Sequence, residues 1–268
     1  MQISVRIALA GLALLAPVTG RCGIVLISDF DGNGTQPAAS IFQAPDFSGS
    51  TNGFLVGAPS GPWSDSTTNS TARAYSGATS LNVQWQFSDA DPTKWLRLTT
   101  SGYNPVIDAA GALTMKVYVA SEDPLQVAIG VRERAYASDP ALGSVGAGGS
   151  GTGIEWVGAN GAFNKVATTV THTITPGSWQ DLTFIIPQEP IAGFVGNGII
   201  EPKAPYGKVD LEHLAFRIPG GSAKPVNLYV DDIRIVTADS LNAVPEPGSL
   251  ALLAMGVLPL LGLRRRAK

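Results

Sequence analysis

The chain has 268 residues, of which 15% are charged, 31 are glycine, 19 are proline and one, Cys22, is cysteine. That composition leaves little for surface helices, excludes an intrachain disulfide and points to turn-rich β structure. Of 18 basic and 21 acidic residues, setting aside Arg6, Arg264, Arg265, Arg266, Lys268 and Glu246 in the terminal segments leaves 13 and 20, a body of net charge −7 that argues against nucleic acid or an anionic membrane surface as partner.

Residues 1–20 read as a secretory signal peptide. Arg6 supplies the charged start, Ile7 to Leu15 is an apolar stretch of suitable length, and Val18-Thr19-Gly20 brings small residues to a cleavage point after Gly20. Arg21 stands before Cys22 where a lipoprotein signal needs a small residue, so Cys22 reads as a small apolar residue near the new terminus. Residues 21–237 follow as one domain.

Ile24 to Phe30 begins as a strand and runs into Asp29-Phe30-Asp31-Gly32-Asn33-Gly34. Thr35 to Ser70 has no sustained period and reads as long loops with one short strand near Phe54 to Val56. Leu81 to Phe87 alternates, with Leu81, Val83, Trp85 and Phe87 on one face and Asn82, Gln84 and Gln86 on the other. Trp95 to Thr99, Leu113 to Val119 and Leu125 to Arg134 alternate likewise. Their polar faces carry Trp95 and Arg97, then Lys116 and Tyr118, then Arg132 and Arg134. Ala141 to Gly161 is a glycine-rich loop holding a short strand at Ile154 to Val157. Strands are expected at Lys165 to Ile174 and Gln180 to Ile186, with a loop over Gly193 to Lys208 and last strands at His213 to Ile218 and Asn227 to Val236. In the final strand Leu228 and Val230 fall out of phase with Ile233 and Ile235, and a β-bulge at Asp231-Asp232 would return both pairs to the core. About ten strands with almost no helix predict an all-β fold, a two-sheet antiparallel sandwich.

The segments Leu26-Ile27-Ser28-Asp29-Phe30, Gly177-Ser178-Trp179-Gln180-Asp181-Leu182-Thr183-Phe184 and Leu228-Tyr229-Val230-Asp231-Asp232-Ile233-Arg234-Ile235 resemble galactose-binding-like jelly rolls, the fold of many carbohydrate-binding modules. The resemblance implies a jelly-roll topology and a non-catalytic glycan-binding role. It also implies that Trp179 packs over a sheet edge, and that a structural calcium joins the first and last strands. Asp29, Asp31 and Asn33 before Gly34 begin like a calcium loop, and Asp232 would complete the site with Asp29 or Asp31. The residue eleven after Asp29 is Ser40 and Pro37 interrupts the loop, which excludes an EF-hand; the alternative is an acidic turn with side-chain capping.

Sugar binding needs aromatic plates for the apolar ring face and bidentate polar groups for the hydroxyls. Trp95, Arg97, Tyr118, Arg132, Gln84 and Gln86, with Lys116, supply both and form one patch if their strands are neighbours; the alternative is an ordinary outer sheet face. Trp63 and Trp156 lie near loops. Gly146-x-Gly148-x-x-Gly151 has no strand before it or helix after it and is loop, not a dinucleotide site. His172 falls on a strand core face and His213 beside Glu212, without zinc or nucleophile-elbow spacing. Glu133 with Glu155 would be an acid–base pair for a glycosidase or lyase, but nothing in their spacing supports it, and the alternative is that both are surface carboxylates.

Residues 238–243 read as a linker to the tail, 244–268. Val244-Pro245-Glu246-Pro247 is a stiff extended spacer, Leu250 to Leu263 an apolar run, and Arg264-Arg265-Arg266-Ala267-Lys268 a cationic stop. Fourteen residues span roughly 21 Å as a helix, short of a ~30 Å hydrocarbon core, and the gap closes with Gly248, Ser249 and snorkelling arginines. The tail resembles the PEP-CTERM sorting signal, which implies a transmembrane helix and an exosortase-like sorting peptidase acting near Pro245 to Pro247. The sequence therefore predicts an exported protein of the cell envelope, surface or exterior, with polysaccharide as partner and no catalysis. The alternatives are a structural matrix or biofilm protein, and a glycoside hydrolase or polysaccharide lyase.

Overall fold

A computed structural model describes residues 23–35, 41–48, 51, 53–56, 67–100, 104–133, 153–160, 169–201 and 207–241. The signal segment 1–20, Cys22, Trp63, the stretch Gly146 to Gly151 and the tail with Val244, Pro245, Glu246 and Pro247 lie outside these. Among the described residues no helix is long and apolar enough to cross a membrane.

Alternating apolar and polar residues make two antiparallel sheets that bury one face each against the other. Sheet one runs β12 (Trp179–Ile185), β6 (Ala112–Val119), β15 (Pro225–Val236), β3 (Ser80–Gln86), β2 (Thr67–Ser70), with β1 (Ile24–Ser28) also on β15. Sheet two runs β13 (Ile191–Gly193), β8 (Ile154–Val157), β7 (Leu125–Arg132), β14 (Lys208–Arg217), β4 (Leu96–Thr99). In it β11 (His172–Ile174) also pairs with β7, and β5 (Val106–Asp108) with β14. A two-stranded piece joins β9 (Ala159–Asn160) to β10 (Thr169–Val170). The all-β antiparallel sandwich expected from the alternation is present. Leu113, Met115, Val117 and Val119 of β6 and Leu125, Val127, Ile129 and Val131 of β7 enter one core with Trp85, Phe184 and Phe216. Each such side chain contributes about 1.5–3 kcal/mol by leaving water.

Two long strands hold the sheets together, and each carries a bulge where its neighbour changes. On one edge β15 pairs with β3 through Val230 and with β1 from Ile233 onward; its register against β6 shifts between Asp231 and Arg234. Asp232 takes φ +53° there, and Val230 and Ile233 are both fully buried. This is the bulge that the broken alternation predicts. β14 pairs with β5 through Asp210 and with β4 from His213, and its register against β7 shifts between Leu211 and His213. Leu211 and Leu214 are both in the core, so Glu212 and His213 between them share the outer side. This second bulge hides the alternation, and the strand that the sequence starts at His213 begins at Lys208.

The segment expected as one strand from Lys165 to Ile174 is two short strands separated at Thr171, with 165–168 outside the described residues. The start of the expected linker, Ala238–Leu241, is a helical turn. Gly23 N–H donates to Ser240 Oγ (2.6 Å) and Ala238 N–H to Asp108 Oδ2 (3.1 Å), which fastens the turn beside the first strand.

At φ +53° a β-branched side chain is more strained than aspartate, and glycine is not strained at all. Asp232→Val is expected to lose about 1–3 kcal/mol in urea unfolding. Asp232→Gly, which trades that strain for a partly exposed ion pair to Arg234, is expected to stay within about 1 kcal/mol of the native protein.

Candidate functional site

The candidate ligand residues do not form one patch. Gln84 and Gln86 on β3 and Tyr118 and Lys116 on β6 belong to sheet one, whereas Arg97 on β4, Arg132 on β7 and Trp95 before β4 belong to sheet two. β4 neighbours β14 and not β3, so the two groups lie on opposite outer faces of the sandwich.

On sheet two the outer face is closed. Trp95 is 5% exposed and Trp156 fully buried; with Ala128, Ala159, Ala192 and Ala215 they form a second apolar cluster. Arg97 Nε donates to Ser48 Oγ (2.7 Å) and its guanidinium lies 4.6 Å from the Phe194 ring centre. Arg132 forms a two-pronged ion pair with Glu212, and Arg217 stands 4.9 Å from the Trp95 ring centre. His213 leans on Trp156, with ring centres 5.6 Å apart, over Gly130, where a Cβ would come within 2.9 Å of both rings. Among the described residues neither His213 nitrogen has a hydrogen-bond partner of good geometry, and Glu212 Oε1 is 3.8 Å from Nε2. Burial first, then Arg97 and Arg132, hold the His213 pKa down at about 3.

On sheet one the outer face carries a row of side chains cut straight across the strands. Trp179 of β12 pairs with Tyr118 of β6, Tyr118 with Tyr229 of β15, Tyr229 with Asn82 of β3. At ~4.8 Å between strands the row is about 14 Å long. Its rings meet edge to face, Tyr118 with Trp179 at 5.8 Å and Tyr118 with Tyr229 at 6.4 Å. Amides extend it: Asn82 Nδ2 donates to Asn227 Oδ1 (2.5 Å), and Gln84 Nε2 to Asn82 Oδ1 (2.7 Å). Gln86 is spent at the strand end, donating to the Ala223 carbonyl.

Residues 71–79, which connect β2 to β3, fold back over this row. Arg73 stands 3.8 Å from the Tyr118 ring centre, and Tyr75 meets Trp179 edge-on at 5.8 Å while remaining 47% exposed. Lys116 lies 4.2 Å from the Tyr75 ring centre and pairs with Asp181. Burial works against the charge on Lys116, and its bonds to Asp181 and Tyr75 outweigh it, so its pKa lies above the ordinary lysine value. Beside them opens a groove of about 520 Å³ lined by Tyr75, Thr114, Lys116, Asp181, Asp232 and Arg234. Tyr75, Arg73 and Tyr229 escape a reading of alternation alone, because 71–79 is not a strand and Tyr229 becomes informative only once β15 is known to lie between β6 and β3.

The three aspartates assigned to calcium are turned elsewhere. Asp29 accepts from the N–H groups of Asp31 and Asn33 (3.0 Å each) and from Asn33 Nδ2 (2.7 Å), the capped acidic turn of the alternative reading. Asp31 accepts from the N–H groups of Ala78 and Thr79, and Asp232 pairs with Arg234. Among the described residues no three histidine, cysteine or carboxylate side chains are grouped as a metal ion requires. As arranged, these carboxylates are engaged by backbone N–H groups, by Asn33 and by Arg234.

Glu133 and Glu155 are not surface carboxylates: both are fully buried. Glu155 pairs across the strands with Val131, which puts it on the inner side of sheet two, where it accepts from the N–H groups of Asn197 (2.8 Å) and Gly198 (2.9 Å). Glu133 accepts from the Glu201 N–H. Burial, then the nearby Glu133 and Glu201, raise the Glu155 pKa against the effect of its backbone bonds. Their oxygens anchor the 197–201 segment. His172 is half-buried, with Nε2 2.8 Å from Glu189 Oε1 and its ring against Phe184.

No protein-family model and no curated protein matches the sequence. Among solved structures, the chain is similar to the family 30 carbohydrate-binding module of a cellulosomal cellulase of Clostridium thermocellum, at 18% identity over 81% of this chain and 98% of that one, with a TM-score of 0.41. A further family 30 module matches at 16% identity over 84% and 93%, with a TM-score of 0.42. The family 11 module of Clostridium thermocellum, in complex with a mixed-linked tetrasaccharide, matches at 11% identity over 65% and 82%, with a TM-score of 0.38.

The buried histidine makes acid stability testable. The unfolded chain takes up a proton at His213 as pH falls through 6.5, and the folded ring does so only near 3, so its contribution is complete above 6.5 and is lost progressively below it. Stability is expected to fall by about 1.4 kcal/mol per pH unit across that window from this residue. His213→Phe, which keeps a ring against Trp156, should show a correspondingly shallower pH slope in chemical unfolding; an unchanged slope would contradict a neutral buried imidazole.

Proposed function

We propose that the protein is exported and surface-sorted, is non-catalytic, and binds polysaccharide on the outer face of sheet one. The observation that carries this reading is the row Trp179, Tyr118, Tyr229 and Asn82, in which Trp179 and Tyr118 are half-buried and Tyr229 and Asn82 lie buried behind them, with half-exposed Tyr75 above it and a charged groove at its side. A sugar offers an apolar ring face and a rim of hydroxyls. Aromatic edges and faces take the first, while Lys116, Asp181, Arg234 and Gln84 supply donors and acceptors for the second. A groove of this volume is within the range of small-molecule sites. Trp95, Arg97 and Arg132 serve the packing of sheet two, and Tyr118 and Gln84 remain ligand candidates. Export and sorting rest on the segments 1–20 and 244–268, with an exosortase-like peptidase acting near Pro245 to Pro247.

Affinity electrophoresis in gels containing mixed-linked β-glucan or xylan tests the site. The native protein is expected to be retarded, and Trp179→Ala and Tyr118→Ala to lose tenfold or more in affinity, about 1.4 kcal/mol. Arg97→Ala should migrate as the native protein does in both gels. Retardation lost in Arg97→Ala and kept in Trp179→Ala would move the site to sheet two, and a native protein that no polysaccharide gel retards would remove the function.

A further inference from the structure

We propose that Asp31 and Asp231 are positioning residues that clamp segment 71–79 and thereby hold Arg73 and Tyr75 over the aromatic row. The inference rests on the glycan-binding reading above and assigns a task to the acidic motifs at both ends of the domain. The segment has no apolar anchor of its own: its one aromatic side chain, Tyr75, is 47% exposed. It is held instead by polar contacts from below. Asp231, fully buried at the bulge of β15, accepts from the N–H groups of Tyr75 (2.8 Å) and Ser76 (3.2 Å). Asp31 accepts from Ala78 N–H (3.0 Å) and Thr79 N–H (2.9 Å). The Phe30 carbonyl takes Asn69 Nδ2 (2.9 Å) and Thr79 Oγ1 (2.5 Å), and Ser80 Oγ donates to the Arg73 carbonyl (2.5 Å).

Hydrogen bonds from N–H groups to an ionised carboxylate are roughly twice as strong as neutral ones, so two carboxylates suffice to fix a short polar segment. Asp29 folds the turn that aims Asp31. Gly77 closes the arrangement. At φ +61° it sits so close to Asp31 that a Cβ would fall 1.6 Å from Oδ2. Any side chain there must push the carboxylate off its donors.

Amide hydrogen exchange and affinity electrophoresis in mixed-linked β-glucan and xylan gels decide the matter together. Gly77→Ala and Asp31→Asn, both at exposed positions, are expected to raise exchange at Tyr75, Ser76, Ala78 and Thr79 tenfold or more while the urea midpoint of the rest of the domain holds. Asp231→Asn should do the same; because it is buried, a failure of that variant to fold leaves the decision with the other two. Retardation should drop in Gly77→Ala as far as in Tyr75→Ala, and the double variant should be no weaker than Tyr75→Ala alone. Unchanged exchange in Gly77→Ala, or losses that multiply in the double variant, would overturn the clamp. Native retardation in Tyr75→Ala alongside loss in Trp179→Ala would also reject it while leaving the platform standing. A native protein free of retardation in every gel would discard both.

Discussion

The structure depends on a constraint of strand pairing: β14 and β15 each have more length than any one neighbour on a given edge can cover. Each meets the problem in the same way, with one extra residue at the place where one partner ends and the next begins. A bulge leaves a residue outside the ladder and turns the strand locally, so the apolar side chains on both sides of it still reach the core. In β15 the residues at the bulge are Asp231 and Asp232; in β14 they are Glu212 and His213. Of these, Asp232 and His213 occupy positions that strict alternation would give to apolar residues.

A second theme is the use of carboxylates as caps for backbone N–H groups. Asp29, Asp31, Asp231, Glu133 and Glu155 all accept from the main chain of loops or turns. A chain with 31 glycines and 19 prolines has many connections that bury little apolar surface. Such connections are ordered only if their donors find partners, and an ionised acceptor is the strongest available. The same residues, seen as a list of acids, suggest a metal loop or an acid–base pair. Their partners show them engaged by the main chain.

The fold was legible because its strongest signal is local. Leu81 to Phe87, Leu113 to Val119 and Leu125 to Arg132 alternate without interruption, and each is a strand with its apolar side inward. The bulge in β15 was legible too, since four apolar residues change phase around two aspartates. The bulge in β14 was not, because Glu212 and His213 are both polar and the run before them looks like loop. The arrangement of the outer faces was half legible. Alternation tells which side chains face outward, and so finds Tyr118 and Gln84, but not which strands are neighbours, and so it merged two opposite faces. Trp95 shows the cost: it lies outside the inter-sheet core as expected and is nonetheless buried, beneath Arg217 and within the second cluster.

The antiparallel pairing of β1 with β15 has a mechanical consequence. The chain enters at Gly23 and leaves past Thr237 at the same corner, where Thr237 N–H donates to the Gly23 carbonyl. Tension between the two termini would peel this pair apart bond by bond, from the corner inward. Tension between the exit corner and Tyr118 would instead draw β15 lengthwise along β6 and load the bonds between those two strands together. The domain is therefore weak against being pulled open by its own ends and strong against a drag applied through its outer row.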